Sequence, residues 1–287
     1  MMQSLRSRAT VPVGATYVDW HSNWVLKWRG RETDLFYIFV KLYIDLATRD
    51  LPTDKDIRMG APAWALVHAQ LLTVLERTLH PSDLRSNVDQ SHTPLRVTFD
   101  GILSEIDTPA PTMPSKTADS HRSMAENRLT MLLRDCLLGS GVMDTKAQII
   151  FAETFSFLLR TAVGNISTFD HNACFALCDF LEETLPILHR SNEDSVEWPF
   201  WLSVFQRYAS SHNMMSEVRL LAFIYSIWNI MSSDADMKRA LCLHWLLRRE
   251  VFQSQFNHWC PMVRAFFMRL CIWRIARLDA EESNLNW

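Results

Sequence analysis

Residues 216–231 read SEVRLLAFIYSIWNIM, and after Arg219 no charged residue follows until Asp234. As a helix, this segment is apolar or uncharged on every side, so it has no face to offer to water and must be surrounded. Its uncharged run, residues 220–233, is fourteen residues long, whereas a bilayer span needs about 20. The shell around it therefore has to be protein, and the rest of the sequence must supply it.

Most of the chain does read as helix. DWHSNWVLKW sets Trp20, Trp24 and Trp28 at i, i+4, i+8, one helical stripe. TDLFYIFVKLYIDLATRD follows, with Thr33 placed to cap it, and APAWALVHAQLLTVLERTLH is stopped by Pro81. Further helices are expected in MAENRLTMLLRDCLL, DTKAQIIFAETFSFLLRTAVG, DHNACFALCDFLEETLPILHRS and EWPFWLSVFQRYAS, the last with Pro199 near its start. Asn213 should cap the central apolar helix and Ser233 the helix in DADMKRALCLHWLLRRE. The final helix is FNHWCPMVRAFFMRLCIWRIAR, with Pro261 in its first turn. No alternating run bounded by glycine turns suggests a sheet.

Composition agrees. Seven glycines among 287 residues are few for a β-rich or nucleotide-binding fold. Eleven tryptophans cannot all be exposed, since burying one removes roughly 200 Å² from water. The predicted class is all-α: an α-solenoid-like stack of helix pairs (HEAT/armadillo-like) or an irregular multi-helix bundle. One helical domain is expected over residues 16–280, between a flexible start at 1–15 and a tail at 281–287. An exposed, largely disordered insertion is expected at about 81–122, where DTPAPTMPSKTADSHR cannot bury a core face. Within it, Thr93-Pro94 and Thr108-Pro109 are candidate sites for a proline-directed kinase.

The last helix mixes large apolar side chains with Arg264, Arg269, Arg274 and Arg277. Four mid-helix arginines would cost roughly 10–14 kcal/mol in a bilayer, against roughly 3–6 kcal/mol returned by the apolar residues, so it should not insert. On the helical wheel one sector of about 140° has no charge and holds Ala265, Met268, Ile272, Ile275 and Ala276. Over residues 238–277 eight basic residues face a single acid, Glu250. Arg248, Arg249, Arg264, Arg269 and Arg274 are thus a candidate surface for other proteins or an anionic membrane. Alternatively, several of them satisfy internal carbonyls and carboxylates such as Glu153, Asp179 or Glu182. The charges do not form one stripe and the net charge is only −3, which argues against nucleic acid.

Little catalytic chemistry is visible. His171, Cys174 and Cys178 share a helix face and carry zinc-type donors, but lack a fourth ligand; small buried thiols explain the spacing equally well. Cys260, near a helix start beside His258, has the setting of an activated thiol without a named base or oxyanion site. Glu182 and Glu183 point about 100° apart and read as a solvated face. GSG at 139–141 lacks the lysine of a phosphate loop and reads as a helix stop. No catalytic residue, cofactor or metal is assigned. The six cysteines sit in apolar helical sequence and no signal peptide is visible, which suggests reduced thiols in a cytoplasmic protein, with membrane association through its surface as an option.

Several stretches, in order, carry a family resemblance: LLTVLERTL, VTFDGIL, AENRLTMLLRDCLL, EWPFWLSVFQRY, EVRLLAFIYSIWNIM and LCLHWLLRREVFQSQFNHWCPMVRAFFMRLCIWRI. From about residue 60 onward the chain resembles the fungal family called domain of unknown function 1765. The resemblance implies a fungal, all-helical intracellular protein and brings no catalytic residues with it. The function expected from all this is a non-enzymatic helical scaffold or protein-interaction module. The alternatives are a peripheral membrane protein docking through the basic aromatic C-terminal region, or a helical enzyme using Cys260 and His258.

Overall fold

A computed structural model describes residues 34–50, 62–80, 124–139, 143–192 and 195–276, with single positions at 23 and 58. The Trp20, Trp24 and Trp28 stripe, Thr33, the insertion at 81–122 with Thr93 and Thr108, Arg277, and both terminal segments lie outside these residues. Among the described residues there are helices and turns and no strand, so the fold is all-α. The chain divides into two compact units, one of residues 1–77 and 125–162, the other of residues 78–124 and 163–287.

The first unit draws on α1 (Leu35–Asp50), α2 (Pro62–Leu79), α3 (Arg128–Leu138) and α4 (Thr145–Gly164). In α1, Phe36, Val40 and Ile44 repeat every fourth residue and are buried, which lays one stripe against the core. In α2 the corresponding line is Trp64, His68, Leu71, Leu75 and Leu79. The His68 ring lies 4.3 Å from that of Trp64 and its Nδ1 is 2.7 Å from the Trp64 carbonyl. Asn127 caps α3 by accepting from the Leu129 N–H at 2.8 Å. Lys41 of α1 pairs with Asp135 of α3 at 3.0 Å.

The second unit contains α5 (His171–Ser191), α6 (Trp198–Ala209), α7 (Met214–Ser226), the short α8 (Trp228–Met231), α9 (Ala235–Leu241), α10 (Arg249–Phe256) and α11 (Pro261–Leu270). Two segments are wound as π-helix: π1 (Cys242–Leu246), which continues α9, and π2 (Cys271–Ala276), which continues α11. Asn213 caps α7 as the sequence predicts, its Oδ1 accepting from the Met215 and Ser216 N–H groups. From Ser216 to Ile224 every residue of α7 is buried except the half-buried Val218. Helices α5, α6 and α11 pack around it. The Phe223 ring of α7 meets Phe205 of α6 edge-on at 5.3 Å, and Phe205 stacks on Trp201. This is the bundle alternative: a central helix enclosed by elements distant in sequence.

Three boundaries differ from the sequence reading. The apolar helix breaks at Ile227 instead of running to residue 231. The helix expected across 234–250 becomes α9, π1 and the separate α10. The wider π turn keeps Cys242, Trp245 and Leu246 inward and turns Leu243 and His244 outward. Finally, α9 is capped by Asp234, which accepts from the Asp236 N–H at 3.0 Å; the Ser233 hydroxyl instead donates back to the Ile230 carbonyl at 2.7 Å.

Phe223 is fully buried and Phe169 is 79% exposed. Phe223→Ala should destabilise the chain by about 3–5 kcal/mol and Phe169→Ala by less than about 0.5 kcal/mol. Urea unfolding followed by circular dichroism measures both; similar small effects would contradict a core centred on α7.

Candidate functional site

The polar chemistry of the second unit gathers where α5 meets α7. On α5, Cys174, Cys178 and Glu182 recur at i, i+4, i+8 and form one line, with Asp179 beside it. Opposite stands Arg219 of α7, whose side chain is 2% exposed. Its Nε and Nη2 donate to Asp179 Oδ1 at 3.2 and 2.5 Å, and its Nη1 donates to Glu182 Oε1 at 2.9 Å. Burial works against charge on Arg219, but the fields of Cys178, Glu182 and Asp179 outweigh it and raise the pKa. A planar fork can serve two carboxylates at once; an ammonium on a flexible stem cannot hold the same three bonds.

Beside the clamp, the Cys178 thiol donates to Cys174. This bond is the main cause that lowers the Cys174 pKa and, together with burial, raises that of Cys178 well above the ordinary thiol range. His171, the proposed third donor, is exposed. Among the described residues no group of three His, Cys, Asp or Glu is placed to hold a metal ion. Glu182 corrects the sequence reading: its side chain is 8% exposed and ion-paired, not part of a solvated face. Glu153, offered as a partner for the C-terminal arginines, is exposed.

His258 and Cys260 also meet α7. Cys260 is buried at the N-cap of α11, and its backbone N–H donates to His258 Nδ1 at 3.1 Å. The other imidazole nitrogen lies 3.4 Å from the buried Glu217 carboxylate. With Nδ1 engaged by a backbone N–H, the tautomer that fits carries its proton on Nε2, facing Glu217. The two ring nitrogens thus face the Cys260 backbone N–H and the Glu217 carboxylate.

The five C-terminal arginines divide. Arg264 donates to the His258 carbonyl at 2.6 Å. Arg269 and Arg274 lie over the Tyr225 ring of α7, at 5.3 and 4.3 Å from its centroid. Arg248 and Arg249 are exposed; Arg248 pairs with the equally exposed Glu250 at 3.0 Å. In the sector without charge, Ala265, Ile272 and Ala276 face outward and Ile275 is buried. Leu243, Leu247, Phe256, Trp259, Ile272 and Trp273 are the exposed large apolar residues of this region, from 38% for Leu247 to 73% for Trp259. Elsewhere in the unit, a cleft of about 520 Å³ is lined by His189, Glu197, Trp198, Ser233 and Asp234.

Removing the fork leaves two buried carboxylates without their cation. Arg219→Ala should cost about 3–5 kcal/mol in urea unfolding, and Arg219→Lys should recover less than half of that; full recovery by lysine would contradict the bidentate account. The thiols give a second check. Cys271 alone among the six is half-buried, the others being buried, and burial pushes Cys136 up to about 12. Iodoacetamide on the folded chain should modify Cys271 first and Cys136 among the last, read by peptide mass spectrometry. Faster modification of Cys260 would favour the enzyme reading.

Residues 155–275 match the family model described as Protein of unknown function (DUF1765). Over 271 residues the chain is 26% identical to the UPF0592 membrane protein C7D4.03c of Schizosaccharomyces pombe. That alignment covers 93% of this chain but spans 30% of the relative's length. No solved structure matches. The resemblance to an uncharacterised fungal family therefore holds: across α5 to π2, the region built around α7, the chain matches the family DUF1765.

Proposed function

We propose that this chain is a non-catalytic helical module that acts by docking, and that the C-terminal face of the second unit is its docking surface. One observation carries this reading. The side chains that the sequence offered for chemistry are turned inward, with Cys174, Cys178 and Cys260 buried and His258 beside the buried Glu217 carboxylate, while large apolar residues of the same unit are exposed. Groups held this way stabilise a scaffold; exposed leucine and isoleucine side chains are what an interaction site uses. Among the described residues no helix is long and apolar enough to cross a membrane, and the relative is named a membrane protein. A module that attaches to a membrane-bound assembly from the cytoplasmic side fits both facts.

The reading predicts how the chain fractionates in cell extract. Wild-type chain should sediment with membranes or elute as part of a larger assembly. The double variant Leu243→Glu/Ile272→Glu replaces two exposed side chains, so its melting temperature should stay close to that of wild type while it runs as a free 33.4 kDa protein. If wild type and variant both run free, the docking reading fails.

A further inference from the structure

We infer that the outward face of α1 is covered by the residues that precede it in the chain. Tyr17, Trp20, Trp24 and Trp28 fold back as an antiparallel helix onto Leu46, Leu42, Ile38 and Leu35 and close a helical hairpin. This goes beyond the docking reading above and does not depend on it.

α1 carries two apolar stripes on opposite sides. Phe36, Val40 and Ile44 are buried. Some way round the helix, about 160° from their centre, stand Leu35, Ile38, Leu42 and Leu46. These four are 41%, 54%, 59% and 58% exposed. At i, i+3, i+7 and i+11 they fall within about 80°, so they form one unbroken line along a single helix. The helix cannot rotate to hide that line without exposing Phe36, Val40 and Ile44. Two ion pairs also tie its first half to α3, Asp34 with Arg128 at 3.1 Å and Lys41 with Asp135 at 3.0 Å. A run of four large aliphatic side chains on one face is a surface that calls for a cover.

The sequence immediately upstream supplies one. Tyr17, Trp20, Trp24 and Trp28 also recur at i, i+3, i+7 and i+11, the same spacing as the aliphatic line. Asn23, which lies among them, is helical. Asp34 opens α1, its carbonyl accepting from the Ile38 N–H at 2.9 Å. Residues 29–33, with Gly30 among them, are left for the turn, and connections between antiparallel helices run to about two to five residues. A turn there sets Trp28 against Leu35, Trp24 against Ile38, Trp20 against Leu42 and Tyr17 against Leu46. Each line is roughly 17 Å long on a helix, so the two end together. Three indoles bury more surface than the aliphatic chains that a second copy's α1 would bring. The tether also holds them beside the face without an association step.

The test is hydroxyl-radical footprinting of the full chain, read by peptide mass spectrometry, with Trp259, 73% exposed, as the internal reference. In wild type, Trp20, Trp24 and Trp28 should be oxidised several-fold more slowly than Trp259. Ile38→Asp/Leu42→Asp replaces two exposed side chains and should bring all three close to the Trp259 rate. Leu66→Asp, at a position 61% exposed on α2, should leave them protected. Tryptophans as reactive as Trp259 in wild type, or protection that survives Ile38→Asp/Leu42→Asp, overturn the inference. A second variant, Trp24→Cys/Ile38→Cys, checks register and connectivity. Mild oxidation with copper phenanthroline should join positions 24 and 38 within one chain. A link between two chains would put a second copy on the face, and no link would leave the two positions apart; either result overturns the inference.

Discussion

A helix with no polar side is stable only when enclosed, and α7 imposes that requirement on everything around it. Three helices from different parts of the sequence, α5, α6 and α11, close its circumference. The hydrophobic contribution is large but without direction: each buried leucine, isoleucine or phenylalanine adds about 1.5–3 kcal/mol wherever it packs. Direction comes from Arg219. One guanidinium takes Asp179 and Glu182, a helical turn apart on α5, and so fixes both the rotation of α7 and its height along α5. On the opposite side, Glu217 receives His258 at the entry to α11. An acidic and a basic position two residues apart on the central helix, Glu217 and Arg219, thus face its two neighbours.

This arrangement decides what the C-terminal helices can present. To cover α7, α11 and π2 must turn Met262, Val263, Phe267, Leu270 and Ile275 inward. Arg269 and Arg274 lie along the same boundary and settle over Tyr225, so charge that looks available in the sequence is spent on packing. Of the uncharged sector, Ala265, Ile272 and Ala276 are left facing outward. Along π1 and π2, Leu243, Ile272 and Trp273 are left exposed while Cys242, Trp245, Leu246 and Ile275 are buried. Enclosure of α7 and exposure of these side chains are two consequences of one helical arrangement.

The sequence disclosed the central helix, the all-α class, most helix starts and the burial of five of the six cysteines, because these follow from local periodicity and capping. Asn213, Pro199 and Pro261 acted where their chemistry says they should. It did not disclose the π segments. No glycine or proline marks them, and their cause is tertiary: Trp245 and Leu246 must stay inward after Cys242. Asp179 and Glu182 could be read as partners for buried arginine, yet which arginine depended on a contact 37–40 residues away. Arg219 was visible only as the last charge before an apolar run. That position, at the polar start of a buried helix facing paired acids on a neighbour, was the available signal.

Amide hydrogen exchange tests the enclosure of α7 most directly. If the account is correct, the amides of residues 218–224 are the slowest to exchange in the second unit and open only with its global unfolding, while those of α10, whose residues are mostly exposed or half-buried, exchange orders of magnitude faster. Exchange in α7 as fast as in α10 would mean that the central helix is not enclosed, and the account built on it would be wrong.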